Sequence, residues 1–538
     1  LRVERLSSDG SGVAHSPDGE TVFIPGAAPG DEARVRIVKD CKRYAFGILD
    51  EVLTPSPDRI PVDCAVAGPC GGCSLRHLDY AAELRAKQEN VADVFARIGG
   101  LDVPVLPIVG SPEVNRYRNK VQFPVGVDKS GKPCIGFYAG RTHRIVPCPD
   151  CRLQPGVLNE IGNALCAFFA EKGIQPYSEE TGRGLVRHIF LRRGAHSGQI
   201  MVCLVCTRAK LPSAEELCTR LKAQFAEITT ILLNVNAKNT NVILGTETHT
   251  LYGPGYIEDT LCGVPVQLGP LSFYQVNTLA AEQLYGIAAQ YAQLTPDDLL
   301  LDLYCGMGPI GLSMAAHCRE LIGVEIVPEA IESAKANAAR MGADVAAKSR
   351  FFCADAGQAA TRLAAEGLHP DIVMLDPPRK GCDEATLSAV VRMSPRRVVY
   401  VSCNPATAAR DAAWLEQNGY HAEKVQPVDL FPRTRHCEAV LLLTKLHVER
   451  HIEVDVSMDE LDVTAAESKA TYNEIRDYVW EHHQLKVSNL YIAQVKQKYG
   501  IIERENYHKA KNENAKQPQC PKEKEDAIVE ALKHFQMI

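Results

Sequence analysis

The stretch LDLYCGMGPIGL, residues 301–312, joins an apolar run to a glycine-rich turn and then to a second apolar run. Gly306, Gly308 and Gly311 satisfy the spacing G-x-G-x-x-G, which lets the backbone turn tightly from a strand into a helix and approach a bound nucleotide. Strand-like and helix-like runs alternate on both sides of this stretch. The pattern predicts a doubly wound, Rossmann-like α/β domain over residues 270–446.

The runs that define this domain follow one another without long interruptions. Helices are predicted at 310–318, 328–341 and 356–365 from their apolar spacing. Strands are predicted at the apolar runs, which read LLLDLY, LIGVEI, SRFFCAD, DIVMLD, VVYVSC and AVLLLT. In a sheet of this kind, ligands bind at the carboxyl ends of the strands.

Polar residues stand at the ends of these predicted strands. Glu325 ends the second strand, where a carboxylate can bind ribose hydroxyls, and Asp376 with two prolines ends the fourth. Bulky Tyr304 and Met307 in the glycine loop favour a flat adenosine and a small sulfonium over a pyrophosphate. The pattern therefore favours S-adenosylmethionine (SAM), although the glycine loop alone also fits NAD. Asp355, after a third strand, is a candidate for binding the adenine amino group or for capping the next helix.

A thiol and a carboxylate follow in two short segments. Cys403 lies in SCNPATAARD, where the Asn-Pro pair ends a strand and exposes the thiol, and Glu438 lies in FPRTRHCEAV, just before a strand. C5 of uracil becomes nucleophilic when a thiolate adds to C6, and a base must afterwards remove the C5 proton. Beside a methyl donor, a Cys403 nucleophile and a Glu438 base are the set needed to methylate that carbon. Nearby Arg379 or Arg410 can lower the thiol pKa.

A group of cysteines suggests a metal site. Cys64, Cys70 and Cys73 have the spacing C-x5-C-x2-C, and Cys148 and Cys151 follow far downstream. Four thiolates can hold a [4Fe–4S] cluster. Zinc is the alternative, on the two CxxC pairs formed by the last four of these cysteines. The spacing alone leaves both alternatives open.

The N-terminal residues are predicted to form a small β-domain. Residues 1–54 alternate short apolar stretches with turns such as SSDGSG and SPDGE. This pattern predicts an OB-like, five-stranded β-barrel.

Residues 55–269 are predicted to form a central α+β region. Helices are expected at 80–98 and 212–226, and strands at runs that include QIMVCLVCT, ITTILLNVN and NVILG. Three segments mix cations with aromatic or histidine side chains: NRYRNKVQF (115–123), GRTHRIV (140–146) and RGLVRHIFLRR (183–193). Such mixtures are typical of phosphate contacts combined with base stacking, so we expect RNA with an exposed base as the partner.

Composition narrows the class of protein. The chain has 538 residues, a net charge of −7 and 19 cysteines. With that charge, RNA contacts must come from local basic patches. There is no signal-like segment and no apolar run of about 18 residues. We therefore expect a cytoplasmic protein, a monomer without membrane association, whose cysteines are reduced or bound to metal.

Residues 447–538 break the α/β pattern and are expected to form a helical extension. The acidic segment 451–462 is predicted to be a linker, and a solvated helical face or an RNA contact explains the basic stretch 486–516. Helices are predicted at 466–484, 488–499 and 522–535.

These motifs together resemble the RNA (uracil-5-)-methyltransferase family, and most of all its bacterial 23S rRNA branch, which has a TRAM domain and an iron–sulfur cluster. The resemblance covers residues 1–445 and rests on RNKVQFPV, FYQVN, LDLYCGMG, DPPRKG, SCNPAT and FPRTRHCE. It implies methylation of uridine C5 in 23S rRNA, giving 5-methyluridine through a covalent cysteine–C6 adduct. Cys403 is then the nucleophile and Glu438 the proton acceptor.

The resemblance also implies the ligands. SAM is expected to be bound by Gln275, Tyr304, Glu325 and Asp376. A [4Fe–4S] cluster is expected on Cys64, Cys70, Cys73 and Cys148, which leaves Cys151 as an extra thiol. The tRNA-directed branch generally lacks both barrel and cluster, which favours rRNA. The extension after residue 446 departs from the usual family plan.

Two rival functions belong to other classes. One is an NAD-linked oxidoreductase with an iron–sulfur centre, which binding of NAD in place of SAM would reveal. The other is a non-catalytic RNA-binding protein with a relic cofactor site, which turnover would exclude.

Overall fold

The computed structural model describes residues 1–140, 142–238, 240–446, 472–499, 520–535 and 537–538. The chain divides into two compact units, Leu1–His447 and Val448–Ile538. None of the helices in the described ranges is both long and apolar enough to span a membrane. The predicted linker at 451–462 lies outside the described residues.

The N-terminal strands form a small barrel. A bridge between Arg2 and Glu32 joins the first strand to the fourth and closes the sheet. Its core is small and aliphatic, with Val3, Val22 and Ile24 buried. The sheet has the order β1-β2-β3-β5-β4, in which the strands are β1 Val3–Leu6, β2 Ser11–His15, β3 Thr21–Pro25, β4 Glu32–Asp40 and β5 Tyr44–Thr54.

The central region is built on a mixed sheet of order β12-β11-β10-β9-β6-β7-β8. Its strands are β6 Lys120–Val127, β7 Pro133–Tyr138, β8 Ile145–Pro147, β9 Val186–Arg193, β10 Ile200–Cys206, β11 Ile228–Val235 and β12 Glu247–Tyr252. Its helices are α1 Ala67–Cys70, α2 Tyr80–Val94, α3 Gly156–Glu171 and α4 Ala214–Gln224, and a π-helical turn at Phe95–Gly99 continues α2. The apolar sides of α3 and α4 cover the strands.

The predicted strand NVILG, residues 241–245, is wrong. The chain there is a loop, and the strand begins later, at Glu247. The side-chain amide of Asn236 donates hydrogen bonds to the carbonyl oxygens of Val242 and Ile243 at 2.6 and 3.0 Å. Those carbonyl groups are thus satisfied without a neighbouring strand, so the apolar composition does not produce one.

The C-terminal part of the first unit is the doubly wound domain. Its main sheet has the order β17-β16-β15-β18-β19-β21-β20. The strands are β15 Leu299–Leu303, β16 Glu320–Glu325, β17 Ser349–Cys353, β18 Ile372–Leu375, β19 Arg397–Ser402, β20 Tyr420–Val428 and β21 Glu438–Lys445, preceded by the hairpin β13 Ile257–Leu261 and β14 Val264–Leu268. The helices are α5 Thr278–Ala292, α6 Pro309–Met314, α7 Pro328–Met341, α8 Ala343–Lys348, α9 Ala356–Ala365, α10 Glu384–Met393 and α11 Pro405–Gln417.

The strand order places the ligand crevice. Strands β15 to β19 are parallel, and the order reverses between β15 and β18. Ligands of such sheets bind outside the carboxyl ends of the strands at this switch point. Strand β21 is antiparallel to β19, so its first residue lies at the same edge.

Helix α2 is held to the doubly wound domain by a buried ion cluster. Lys87 donates hydrogen bonds to Glu83 and to Asp429 at 2.8 Å each, and all three side chains are almost fully buried. Burial lowers the pKa of Lys87, but the two carboxylates outweigh that effect and raise it above its ordinary value. Lys87 also donates to the carbonyl oxygen of Phe431. The cluster therefore fixes the loop that precedes Glu438.

The second unit is a small helical bundle in its described part. Its helices are α12 Tyr472–His483, α13 Asn489–Lys498 and α14 Lys522–His534, close to the predicted bounds. Their apolar faces share one core, which includes Ile475, Ile492 and Ile528.

Replacing Lys87 with methionine tests the ion cluster. The change leaves Asp429 buried without its cation and leaves Glu83 with only Arg433, whose Nη1 is 3.6 Å away, so we expect the first unit to lose about 3–5 kcal/mol of unfolding free energy. Urea titration followed by far-UV circular dichroism measures this free energy of unfolding. Lys129→Met, at an exposed lysine, is the matched control and should change stability little. Equal stability of the two variants would show that the cluster contributes nothing.

Candidate active site

The predicted thiol and carboxylate lie side by side. Cys403 directly follows β19, and Glu438 is the first residue of β21. The two strands are antiparallel with Ser402 opposite Ala439, so the next position of the register places Cys403 beside Glu438. Asn404 caps α11 by accepting from the amide of Ala406, which ends the strand immediately after the thiol.

The charges around this pair determine its protonation. Burial, reinforced by Asp376, raises the pKa of Glu438 to about 8, and Arg379 opposes the rise. Burial raises the pKa of Cys403 to about 11, with Glu438 and Asp376 adding to the effect and Arg379 again opposing it. The carboxylate thus titrates close to neutral pH, where a general base is most useful. Arg379 is the cation that favours the thiolate.

Further carboxylates line the same edge of the sheet. Burial raises the pKa of Asp376 to about 7. Burial and the charge of Asp376 raise the pKa of Asp302 to about 8, against a hydrogen bond that Asp302 accepts from the Gly311 amide at 3.0 Å. Buried carboxyl groups of this kind are stabilised in their charged form by a cation. The site therefore suits a positively charged ligand.

The glycine loop is closed by Glu325. Its carboxylate accepts hydrogen bonds from the amides of Gly306 at 3.2 Å and Val327 at 2.9 Å. Gly306 and Gly308 have φ of 56° and 81°, and Tyr304 has φ of 67° although it carries a side chain. A non-glycine residue in this conformation stores strain of the kind found at ligand sites.

Two predicted SAM contacts have other partners in the fold. The Asp355 side chain accepts from the amide of Gln358 and caps α9, which is the second of its two predicted roles. The hydroxyl of Tyr304 lies 3.5 Å from Oγ1 of Thr386 in α10. Its ring packs against the core beneath the loop.

Gln275 is connected to the carboxylates through a tyrosine. Its side chain hydrogen-bonds the hydroxyl of Tyr285, a fully buried residue of α5 that also lies near Asp376 and Glu438. Its carbonyl oxygen accepts from Asn119 at 2.8 Å. The structure thus brings Gln275 and Asp376 to the site of Cys403.

Sequence reasoning missed Tyr285 and Asp302. Tyr285 lies in an apolar helix and Asp302 in an apolar strand, so in the sequence both resemble core residues. No sequence pattern shows which buried polar group faces the ligand crevice. Phe273 was also missed, although its side chain is 73% exposed two positions before Gln275. Exposure of so large a ring is typical of a binding surface, and that exposure is visible only in the structure.

Three arginines of two basic segments have partners within the fold. Arg116 pairs with Asp150. Arg187 donates to the carbonyl oxygens of Asn236 and Lys238, and buried Arg192 donates to those of Gly269 and Ser272. These three arginines support loops, and RNA contact by the basic segments stays a prediction. Arg144 and Arg183 are exposed.

The five cysteines converge on one cavity of about 300 Å³. The cavity is lined by Cys64, Cys70, Cys73, Cys148 and Cys151 together with the cations Arg76, Arg118, Lys120 and Arg152, and no carboxylate of the described residues lines it. The residues that the structure describes include no group of three His, Cys, Asp or Glu side chains placed to hold a single metal ion. This gives the zinc alternative no support.

The charges of the cavity fit an anionic group larger than one ion. Arg76 contacts the thiol of Cys73 and lowers its pKa against a larger rise from burial. Among the described atoms, Nε and Nη2 of Arg76 are buried without an oxygen or nitrogen partner. Burial, with help from two neighbouring arginines, lowers the pKa of Lys120 to about 8. A four-iron cluster carries net negative charge with its thiolates, and each thiolate binds a different iron atom, so the thiols need not meet at one point.

The fold and the site define a class: an α/β enzyme that places a thiol and a base beside a nucleotide crevice. A family model described as tRNA (Uracil-5-)-methyltransferase matches residues 197–446, and a TRAM domain model matches residues 1–49. Uncharacterized RNA methyltransferases of Halalkalibacterium halodurans and Listeria monocytogenes are 43% and 42% identical over 82% of this chain and 96% of their own lengths. The chain belongs to the RNA (uracil-5-)-methyltransferase family and is a SAM-dependent RNA methyltransferase with an N-terminal TRAM domain.

A solved structure resembles most of this chain. The tRNA (uracil-54, C5)-methyltransferase of Pyrococcus abyssi in complex with S-adenosyl-L-homocysteine matches with a TM-score of 0.66 and 26% identity. The match covers 82% of this chain and 100% of that one.

Replacing Arg379 with glutamine tests the electrostatics of the thiol. Because Arg379 lowers the pKa of Cys403, its removal raises that pKa and reduces the thiolate fraction at pH 8. We expect alkylation of Cys403 by iodoacetamide to slow about three- to tenfold, followed peptide by peptide in a mass spectrometer. Lys380→Gln, one position along, is the matched control and should react like the unmodified protein. An unchanged rate in Arg379→Gln would contradict the assignment.

Proposed function

We propose that the protein methylates C5 of uridine in 23S rRNA through a covalent adduct between Cys403 and C6 of the base. The observation that carries this proposal is the placement of the Cys403 thiol beside the buried Glu438 carboxylate at the carboxyl edge of the parallel strands in a methyltransferase fold. When bound, SAM supplies the methyl group as a sulfonium electrophile. The chain's residues supply the nucleophile, the base and the charge.

The first step is nucleophilic. The thiolate of Cys403 adds to C6, which forms a carbon–sulfur bond and moves the electron pair of the C5–C6 double bond toward C5 and the O4 carbonyl. C5 then attacks the methyl carbon of the sulfonium, and the methyl–sulfur bond breaks with its electron pair left on that sulfur, which departs as a neutral thioether. Arg379 assists at the start, since its charge favours the thiolate over the thiol.

The second step is a proton transfer. C5 now carries both a methyl group and its original proton, and Glu438 removes that proton. The electron pair of the C5–H bond re-forms the double bond, and the carbon–sulfur bond breaks with its pair returning to the Cys403 sulfur. A carboxylate with a pKa of about 8 binds this proton better than an ordinary glutamate does.

The sulfonium charge suits the carboxylates of the site. Asp376 and Asp302 are buried and have pKa values raised to about 7 and about 8, so a cation beside them relieves the cost of ionisation. Gln275 reaches this group of side chains through Tyr285, and the ring of Phe273, two positions earlier, is exposed and offers a face on which a base can stack. Glu325 and the amide of Gly306 fix the loop that faces the nucleoside.

Two substitutions separate the steps of the reaction. Cys403→Ala removes the nucleophile, so neither methylated RNA nor adduct should form. Glu438→Gln leaves addition and methyl transfer possible but blocks proton removal, so a methylated RNA–protein adduct should accumulate. The measurement is transfer of label from SAM to unmodified 23S rRNA, with nucleoside analysis and denaturing gels for the adduct.

Matched controls are available for both variants. Cys218→Ala and Glu423→Gln change residues of the same types away from the site and should leave activity within about twofold. Turnover by Cys403→Ala, or loss of activity in Glu438→Gln without an adduct, would contradict the mechanism.

Transfer RNA is the second candidate substrate. The Pyrococcus abyssi enzyme acts on tRNA by its description, and its entire length matches this chain. The preference for 23S rRNA rests on the resemblance, in which barrel and cluster occur together in the rRNA branch. The same labelling experiment on separated tRNA decides: label in tRNA alone would keep the chemistry and overturn the rRNA proposal.

We further propose that the cysteine cavity holds a [4Fe–4S] cluster on Cys64, Cys70, Cys73 and a fourth thiol. The resemblance implies Cys148 as the fourth ligand. Cys151, however, interacts with both Cys70 and Cys73, whereas Cys148 interacts with Cys64, Cys70 and Cys151 but not with Cys73. We therefore propose Cys151 for the fourth position. The cluster has no redox step to perform in this reaction.

Iron content tests the cluster and its ligands. Protein purified without oxygen should contain about four iron atoms per chain, and Cys70→Ala should lose them. Cys151→Ala should lose iron to the same extent, while Cys148→Ala and the remote Cys218→Ala should retain it. Iron-free wild-type protein from an anaerobic preparation would contradict the cluster. Loss of iron from Cys148→Ala alone would restore Cys148 as the ligand.

A further inference from the structure

Two turns of the N-terminal barrel have the same construction. Residues 7–10, Ser-Ser-Asp-Gly, join β1 to β2, and residues 16–19, Ser-Pro-Asp-Gly, join β2 to β3. In each turn the glycine amide donates to the serine carbonyl oxygen at 2.9 Å. Gly10 and Gly19 have φ of 81° and 83°. Because the two turns have the same backbone conformation, a difference in their function must come from the residues that surround each turn.

Their surroundings differ completely. A Cβ on Gly10 would lie 3.3 Å from Oγ of Ser74 and 3.4 Å from Cβ of Arg435, whereas a Cβ on Gly19 would meet no described atom within 4 Å. Gly10 is buried and Gly19 is exposed. The first turn therefore packs against the loop that leads to Glu438, and the second faces solvent.

The first turn forms one wall of the cavity at the nucleophile. A cavity of about 420 Å³ beside Cys403 is lined by Ser8 and Asp9 from the barrel and by Arg379 and Arg435 from the doubly wound domain. Within the described part of the chain, neither arginine has a carboxylate partner within 4 Å among the ion pairs of the structure. A base that reaches the thiol must pass the turn and both arginines.

Asp9 presents a free acceptor to this cavity. Its Oδ1 accepts hydrogen bonds from Oγ of Ser7 at 2.5 Å and from the amide of Ser11 at 3.1 Å. The Ser11 hydroxyl is a further donor to the carboxylate, and within the described residues no third residue donates to it, so Oδ2 keeps a lone pair that can accept from a ligand. Burial raises the pKa of Asp9, but these hydrogen bonds and the charge of Arg435 hold it below its ordinary value. The carboxylate is thus ionised at neutral pH, with one oxygen fixed and one available.

We propose that Asp9 determines substrate specificity: its Oδ2 accepts a hydrogen bond from the exocyclic amino group of the base adjacent to the target uridine. A carboxylate accepts from donors such as the cytosine amino group and is repelled by the carbonyl oxygens of uracil. Arg379 and Arg435 bind the phosphates on either side of the target nucleotide. This inference rests on the proposed function, since it assigns the reading of RNA at the same site.

The test compares Asp9→Asn with Asp18→Asn in the full-length protein. The probes are transcripts of the RNA that the wild-type protein methylates, in which each neighbour of the target uridine is in turn A, C, G or U. The amide keeps an acceptor for Ser7 and Ser11, so the turn is retained, but it removes the charge. Labelled SAM gives kcat/KM for every transcript, and calorimetry gives the affinity for SAM.

We expect the wild-type protein to disfavour uracil at one neighbouring position. Asp9→Asn should reduce that preference by about five- to a hundredfold, with unchanged affinity for SAM. Asp18→Asn, at the equivalent place in the turn that faces solvent, should keep the wild-type preference and rate.

Each other outcome overturns the inference in a distinguishable way. If Asp9→Asn keeps the wild-type preference, Asp9 does not read a base. If it loses rate equally on all transcripts, the turn supports the site without selecting the substrate. If the wild-type protein methylates no RNA, the proposed function fails first, and the specificity inference fails with it.

Discussion

The antiparallel pairing of β21 with β19 is the constraint on which the site depends. In a wholly parallel sheet, the first residue of every strand lies at the amino edge, far from the ligand crevice. Because β21 runs in the opposite direction, its first residue, Glu438, lies at the carboxyl edge, directly beside Cys403. One reversed strand thus brings the proposed nucleophile and the proposed base together at the ligand-binding edge of the sheet.

Burial gives this pair its chemistry. Glu438 and Asp376 have raised pKa values because water is excluded, and Arg379 opposes that rise at Glu438 and at the thiol. A site that contains more buried carboxyl groups than cations favours a positively charged cosubstrate, because the cation lowers the cost of ionising them. In the mechanism we propose, the same residues bind the methyl donor and set the pKa values of the groups that act on the acceptor.

Local patterns in the sequence predicted the strand ends and hence Cys403, Glu438 and Asp376, since apolar runs fix where a strand stops. They could not identify Tyr285, because a helical tyrosine that faces a ligand crevice has the same spacing as one that faces the core. They also assigned Arg187 and Arg192 to RNA, although both donate to carbonyl groups of nearby loops. The sequence shows which residues are charged, but only the fold shows which groups those residues contact.

The loop before Glu438 is where the parts of the first unit meet. The amide of Leu75 donates to the carbonyl oxygen of Arg433, and the Arg433 side chain donates to the carbonyl oxygen of Leu78. Leu75 is two positions after Cys73. The segment that lines the cysteine cavity therefore runs directly into the segment that supports the loop before Glu438. A cluster bound by Cys73 would fix this segment, and with it Glu438, without exchanging an electron. Support of this segment is therefore the role that we propose for the cluster.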